Sequence, residues 1–236
     1  VSWQAEYLAR FYSRERGWVD GTTLFHRLCR QFISPGGRVL EVGAGPSNPT
    51  SKFLSSTARQ VVGVDIDDAI IGNCFLSEAH VYDGVRFPFD DGSFDAAVCN
   101  YVMEHVENPM RLCREIRRVL VPGGVFLFRT PNAFHYVSLL SRVLPRGLSK
   151  WARNTRPNTS GMHPMFCRCN STLRCRRILD RAGLRIAELR LIEPNPSYGM
   201  RSRLLFFPML LYERLVNATE MLRHFRANIL CAARSV

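Results

Sequence analysis

The sequence predicts an α/β protein built on a doubly wound, mainly parallel sheet. Three observations lead there. Short β-rich apolar runs alternate with amphipathic helical stretches, the pattern of crossover-connected strands. The first run, "VLEV", leads into a glycine loop, "GAGPSNP", and then a helical stretch. The 236 residues, 46% hydrophobic and 22% charged, suit one globular domain with insertions.

Residues 1–35 open with two amphipathic helices, broken near Gly17 and Gly21. "GRVLEVGAG" is a buried strand ending in glycines, and residues 50–57 form the next helix. "QVVGVDID" is a second buried strand that ends in carboxylates, "AHVYDG" a short third, and "SFDAAVCN" a fourth. "PMRLCREIRRVLVPGG" is a helix with Met110, Leu112, Ile116, Val119 and Leu120 on its apolar face, stopped by Pro122-Gly123-Gly124. "VFLFRT" is a fifth strand. A helix follows at 171–182, ended by Gly183, then the strand "LRIAELRLI" and a last strand, "ANILCAAR". Right-handed crossovers fix the hand of the sheet.

Two stretches break the alternation, 131–170 and 194–224. Each leaves the C-terminal end of a parallel strand, so both emerge on the edge that carries the glycine loop. Open α/β sheets bind ligands on that edge. The domain reading is therefore one domain over 1–236, with cap insertions at 131–170 and 194–224 over the active site.

Residues 1–110 hold 9 basic and 14 acidic side chains, net −5, whereas residues 111–236 hold 23 and 6, net +17. A basic field of this kind attracts phosphorylated substrates, nucleic acid or an anionic membrane surface. Lys52 and Lys150 are the only lysines, so the excess of arginine also fits a biased genome composition. No apolar run is long enough to span a bilayer, and no signal-peptide pattern opens the chain, so a cytoplasmic setting is expected. The first residue is Val, and a native N-terminus is expected to be missing. Cys29, Cys74, Cys99, Cys113 and Cys231 read as small core residues. Cys167, Cys169 and Cys175 lack paired zinc-ligand spacing, and no metal is expected.

The loop itself narrows the cofactor. The dinucleotide fingerprint G-x-G-x-x-G places its third glycine where this chain has Asn48. Glu41 precedes the turn; it is badly placed beside a diphosphate and well placed near an ammonium or sulfonium group. Asp65 ends the second strand, where a carboxylate can accept from both ribose hydroxyls. Asp83 ends the third, where one can accept from an adenine amino group. Each also reads as a structural residue, Asp65 as a helix cap and Asp83 as a turn residue before Gly84.

"VLEVGAGP", "VVGVDID", "DGVRFPFDDGSFDAAVCNYVMEHVENP" and "RVLVPGGVFLFRTPN" stand in the order of a known family. The chain resembles the class I S-adenosylmethionine-dependent methyltransferases, in the broad group that includes quinone-biosynthesis and natural-product enzymes. The resemblance spans about 39–132, with a weaker continuation through "LDRAGLRIAEL". It implies a Rossmann-like seven-stranded mixed sheet whose last strand is antiparallel, and S-adenosyl-L-methionine as cofactor. It also implies that Gly43 and Gly45 flank the methionine part, with Glu41 reaching its amino group through water. Asp65 would hold the ribose, Ile66 pack on the adenine, and Asp83 bind the adenine amino group beside Gly84. Asn100 and Tyr101 would lie near the methionine and the transferred methyl. Ser47 departs from the family, many of whose members have a third glycine, and the connection from Asp65 to Asp83 is short.

Methyl transfer from a sulfonium is an in-line displacement that depends on positioning. A hydroxyl acceptor also gains from a base, for which His105, His135 and His163 are the candidates; each also reads as a structural or loop histidine. The acceptor is expected to be a small molecule, or linked to lipid or saccharide, and methylated at oxygen. "RSRLLFFPMLLYERL" (201–215) reads as a lid helix kinked at Pro208, as a homodimer contact, or as an interfacial segment meeting the inner face of a membrane. Nucleic-acid methylation is the weaker alternative, since "NYVM" stands where a base-methylation motif such as N-P-P-Y would be. A non-catalytic binding protein on the same fold is the other.

Overall fold

The computed structural model describes residues 3–13, 17–143, 164–195 and 202–236. The expectations placed on His163, Arg201 and the middle of the 131–170 insertion lie outside those residues.

Seven strands form one sheet: β1 (Arg38–Val42), β2 (Gln60–Asp65), β3 (Glu78–Val81), β4 (Phe94–Asn100), β5 (Leu120–Pro131), β6 (Leu184–Ile192) and β7 (Asn228–Ser235). Their order is β3-β2-β1-β4-β5-β7-β6. Strands β1 to β5 pair in parallel, and β7 runs antiparallel to both β5 and β6. Thus β6 points the same way as β5. The strand order reverses between β1 and β4, which opens a crevice at their C-terminal ends.

Seven α-helices accompany the strands among the described residues: α1 (Trp3–Phe11), α2 (Gly21–Phe32), α3 (Pro49–Ser55), α4 (Pro109–Val119), α5 (Tyr136–Val143), α6 (Thr172–Arg181) and α7 (Arg203–Ala218). Side chains alternate along a strand, so each central strand feeds two cores. Leu40, Val42, Val62 and Val64 face one layer, with Leu112 and Ile116 of α4 and Leu179 of α6. Val39, Val61, Ala96 and Val98 face the other, with Phe25 and Leu28 of α2 and Phe53 of α3. Burial on both faces is why the central strands read as nearly unbroken apolar runs.

Three expectations need correction. The Pro122-Gly123-Gly124 turn does not stop α4. The helix has ended at Val119, and Leu120 already pairs with Phe94 of β4. The turn sits inside the span of β5, with Gly123 at φ +77° and a register shift between Phe94 and Ala96. Residues 194–224 are not irregular throughout, because α7 runs through Pro208. Ser202 caps it, accepting from Leu204 N–H, and burial of Phe206, Glu213 and Val216 holds it despite the N–H that proline lacks. Cys74 is exposed rather than core, and its backbone N–H donates to Ser47 Oγ. The other cysteines read as core, Cys29, Cys99, Cys113 and Cys231, are buried, as are Cys169 and Cys175, whose sulfurs lie 3.6 Å apart.

Candidate functional site

The loop after β1 is shaped by two glycines in the left-handed region, Gly43 at φ +70° and Gly45 at φ +52°. A Cβ on Gly43 would also lie 2.3 Å from Val102 Cγ2, so backbone conformation and packing both exclude a side chain there. Above Gly45 there is room: a Cβ would meet only Asp65 Oδ2, at 3.8 Å. Asn48, at the sixth fingerprint position, caps α3. Its Oδ1 accepts from Thr50 and Ser51 N–H, and its Nδ2 donates to Ala44 O at 2.7 Å. A glycine could do neither.

Asp65 binds the loop to the end of β2. Its Oδ2 accepts from Gly45 N–H at 2.8 Å and its Oδ1 from Asp67 N–H at 3.0 Å. Asp67, not Asp65, caps the short helical turn that follows. Ile66 is 55% exposed, and a Cβ on Gly84 would lie 3.5 Å from its Cγ2. The ends of β2 and β3 therefore offer an apolar ledge beside a bare backbone. Asp83 is the turn residue at the edge of that ledge. Its Oδ1 accepts from Arg86 and Val85 N–H, and these bonds hold its carboxyl below the usual range. Glu41 is buried, and burial pushes its carboxyl up to about 7 against the opposing hydrogen bonds of Ser51 and Asn48. Its Oε2 has no hydrogen-bond partner among the described residues.

Beneath the loop lies a polar floor. Asn100, at the end of β4, donates from Nδ2 to Thr50 Oγ1 at 2.7 Å and accepts at Oδ1 from Arg129 Nε at 2.8 Å. Tyr101 has a left-handed backbone, φ +59°, and its hydroxyl donates to Asn228 Oδ1 at the start of β7. Arg129 is 4% exposed, stacks 4.2 Å from the Tyr101 ring centre and donates to Thr22 Oγ1. Burial holds its guanidinium pKa below the usual value. His26 stacks on Phe53 and sits 3.3 Å from Thr50 Oγ1, and burial pushes its pKa down to about 4. Sequence reading passed over Arg129 and His26. For Arg129 a signal existed, a lone charge inside the apolar run "VFLFRT".

The histidines separate. His105 Nδ1 lies 3.1 Å from Pro164 O, in a partly exposed turn. His135 is buried, with Nε2 facing Glu193 Oε2 at 3.4 Å, and neither atom has a hydrogen-bond partner among the described residues. Tyr136 and Tyr212 pack on the His135 ring. Glu193, one residue beyond β6, was not singled out from the sequence, since nothing local links it to His135.

Glu41, Gly43, Gly45, Asp65, Ile66, Asp83 and Gly84 thus stand along three neighbouring strand ends. A partnerless buried carboxylate oxygen, open space over Gly45 and a ledge at Ile66 fit a cofactor with a cationic end and an adenosine end. A diphosphate would meet the carboxylates of Glu41 and Asp65.

Residues 40–128 match the family model described as a methyltransferase domain. The chain is 33% identical over 104 residues to a sterol 24-C-methyltransferase of Gibberella zeae, covering 40% of this chain and 27% of that protein. It is 27% identical over 143 residues to a ubiquinone biosynthesis O-methyltransferase of Paraburkholderia phymatum, covering 52% and 60%. The chain thus spans less than two thirds of the length of these curated relatives. Its fold matches the S-adenosylmethionine-dependent methyltransferase structure from Mesorhizobium loti with a TM-score of 0.57 at 18% identity, covering 88% of this chain and 96% of that one.

Proposed function

We propose that this chain, whose residues 40–128 match a methyltransferase domain, is a class I S-adenosylmethionine-dependent methyltransferase and that it methylates a hydroxyl oxygen of a small-molecule, lipid-linked or saccharide-linked acceptor. The observation that carries the oxygen assignment is the His135–Glu193 pair, a histidine faced by a carboxylate in the cap. When bound, S-adenosylmethionine supplies an electrophilic methyl on a sulfonium. Gly43 and Gly45 let the backbone approach its methionine part, and Glu41 accepts from the amino group directly or through water. The lone pairs that Asp65 does not use on Gly45 and Asp67 accept from ribose hydroxyls. Ile66 and Gly84 bracket the adenine, and Asp83 Oδ2 accepts from its amino group.

The chain's own proton chemistry falls to the cap. Glu193 favours the tautomer with the proton on Nε2 of His135, which leaves Nδ1 as the basic nitrogen. With the cofactor bound, Nδ1 would take the proton of the acceptor hydroxyl. His105 and His163 are the remaining candidates for this role. The relatives' names, sterol and ubiquinone, support an acceptor with an apolar part.

A bound reference compound tests the premise first. Calorimetric titration with S-adenosylmethionine should show one site, and no binding would favour a non-catalytic protein on this fold. Methyl transfer to hydroxylated acceptors, with His135→Gln beside the parent, then tests the base. An unchanged rate-versus-pH profile would remove His135 from it. Nucleic-acid methylation is less favoured, because Asn100 and Tyr101 are occupied by Thr50, Arg129 and Asn228.

A further inference from the structure

We propose that α7 seats the protein on an anionic lipid surface. Leu204, Phe207, Leu211 and Leu215 follow one another at steps of three, four and four residues, which places them on one face of the helix. They are 86%, 50%, 60% and 52% exposed. Phe206, Glu213 and Val216, on the other side, are buried. The helix therefore turns an apolar stripe toward solvent while burying a glutamate, the reverse of the usual surface pattern. Glu213 is held inside by Tyr12 Oη at 2.9 Å and Asn217 Nδ2 at 2.7 Å, so the orientation is fixed by paired groups.

Charge selects the occupant. Arg203 precedes the stripe and Arg214 lies along its edge, and both are braced on aromatic rings, Arg203 over Trp3 and Arg214 over Tyr12. Arg214 and Arg223, just beyond the helix, are about half exposed, although each already faces a glutamate, Arg214 Nε 3.5 Å from Glu213 Oε2 and Arg223 Nη1 3.3 Å from Glu220 Oε2. The half of the chain that carries α7 holds 23 basic against 6 acidic residues. A second copy docked stripe to stripe would bring two such fields together, whereas anionic headgroups would neutralise them. No helix among the described residues is long and apolar enough to cross a membrane. A 16-residue helix with an apolar stripe and flanking arginines lies in the plane of the interface.

The same helix reaches the candidate site. Tyr212 meets the His135 ring edge-on at 5.7 Å between centres and Tyr136 at 4.6 Å. The wall of the acceptor region is thus also the lipid-facing element, and an acceptor could pass to it from the bilayer. This last link rests on the oxygen-methylation reading; the docking does not.

Co-sedimentation of the protein with phosphatidylglycerol–phosphatidylcholine vesicles tests it, with pure phosphatidylcholine as the comparison. Binding should favour the anionic vesicles and weaken as salt rises. Leu204→Ser with Leu211→Ser should lower partitioning at least about tenfold. Arg203→Gln with Arg214→Gln should remove the preference for anionic lipid. Calorimetric binding of S-adenosylmethionine is the control and should be unchanged in all variants. Absence of vesicle binding by a protein that binds the cofactor would overturn the docking and leave the enzymatic reading intact. So would equal binding to both vesicle types, or a stable dimer in sedimentation velocity that the double serine variant dissolves.

Discussion

His135 Nε2 faces Glu193 Oε2 at 3.4 Å, and both side chains are buried. The pair joins the segment after β5 to the segment after β6, and each segment supplies one partner. His135→Gln should lower the turnover number about a hundredfold or more, the usual worth of a positioned base. Glu193→Gln should lower it less. Affinity for S-adenosylmethionine, measured by calorimetry, should stay as it is in both.

Gly43 and Ser47 give opposite expectations within one loop. Gly43→Val places a Cβ in a left-handed conformation and against Val102, so cofactor binding should be abolished. Ser47 is exposed; its Oγ accepts from Cys74 N–H at 3.1 Å, lies 3.3 Å from Cys74 Sγ and donates to Gly72 O at a long 3.5 Å. Ser47→Gly should change stability by no more than about 0.5 kcal/mol, and cofactor affinity hardly at all. Urea unfolding and calorimetry on the two variants check both expectations.

Glu41 should make stability depend on pH. Burial raises its folded pKa from 4.5 to about 7, so the folded state favours its proton. The resulting contribution is fully present below pH 4.5 and is lost as pH rises through about 7. Relative to Glu41→Gln, the parent should lose up to about 3 kcal/mol across that window, an order-of-magnitude figure. A cationic amino group beside Glu41 would favour the carboxylate. Cofactor binding near pH 6.5 should therefore release protons, seen as a binding heat that varies with buffer ionisation enthalpy in the parent and not in the variant.

Phe206 and Leu211 should differ although they share a helix. Phe206 is fully buried against Tyr7 and Phe11 of α1. Phe206→Ala should cost about 3–5 kcal/mol, whereas Leu211→Ala should fall within about 0.5 kcal/mol. Thermal unfolding of the two variants separates them.

The sheet was legible because its strands are buried on both faces and its helices carry a clean apolar periodicity. "LRIAELRLI" coincides with β6, and "ANILCAAR" lies within one residue of β7 at both ends. The placement of the glycine loop, Asp65 and Asp83 at neighbouring strand ends was legible because each follows directly on a β-rich apolar run. The α7 helix was half legible, since Pro208 reads as a break when burial of the opposite face is not yet known. Glu193, Arg129 and His26 were missed for one reason. Their partners lie 58, 29 and 24 positions away, and no local pattern encodes such meetings.

Residues 228–235 are hydrogen-bonded to β5 on one side and β6 on the other. β6 precedes them in sequence and pairs with no other strand of the sheet. During synthesis β6 must therefore wait, unpaired, until β7 leaves the ribosome. The apolar layer between α6 and the sheet stays open for that interval. This long-range closure makes the C-terminal half the late and aggregation-exposed part of folding. Deleting 228–236 would not shorten the sheet by one strand; it would divide the sheet and leave β6 with no partner.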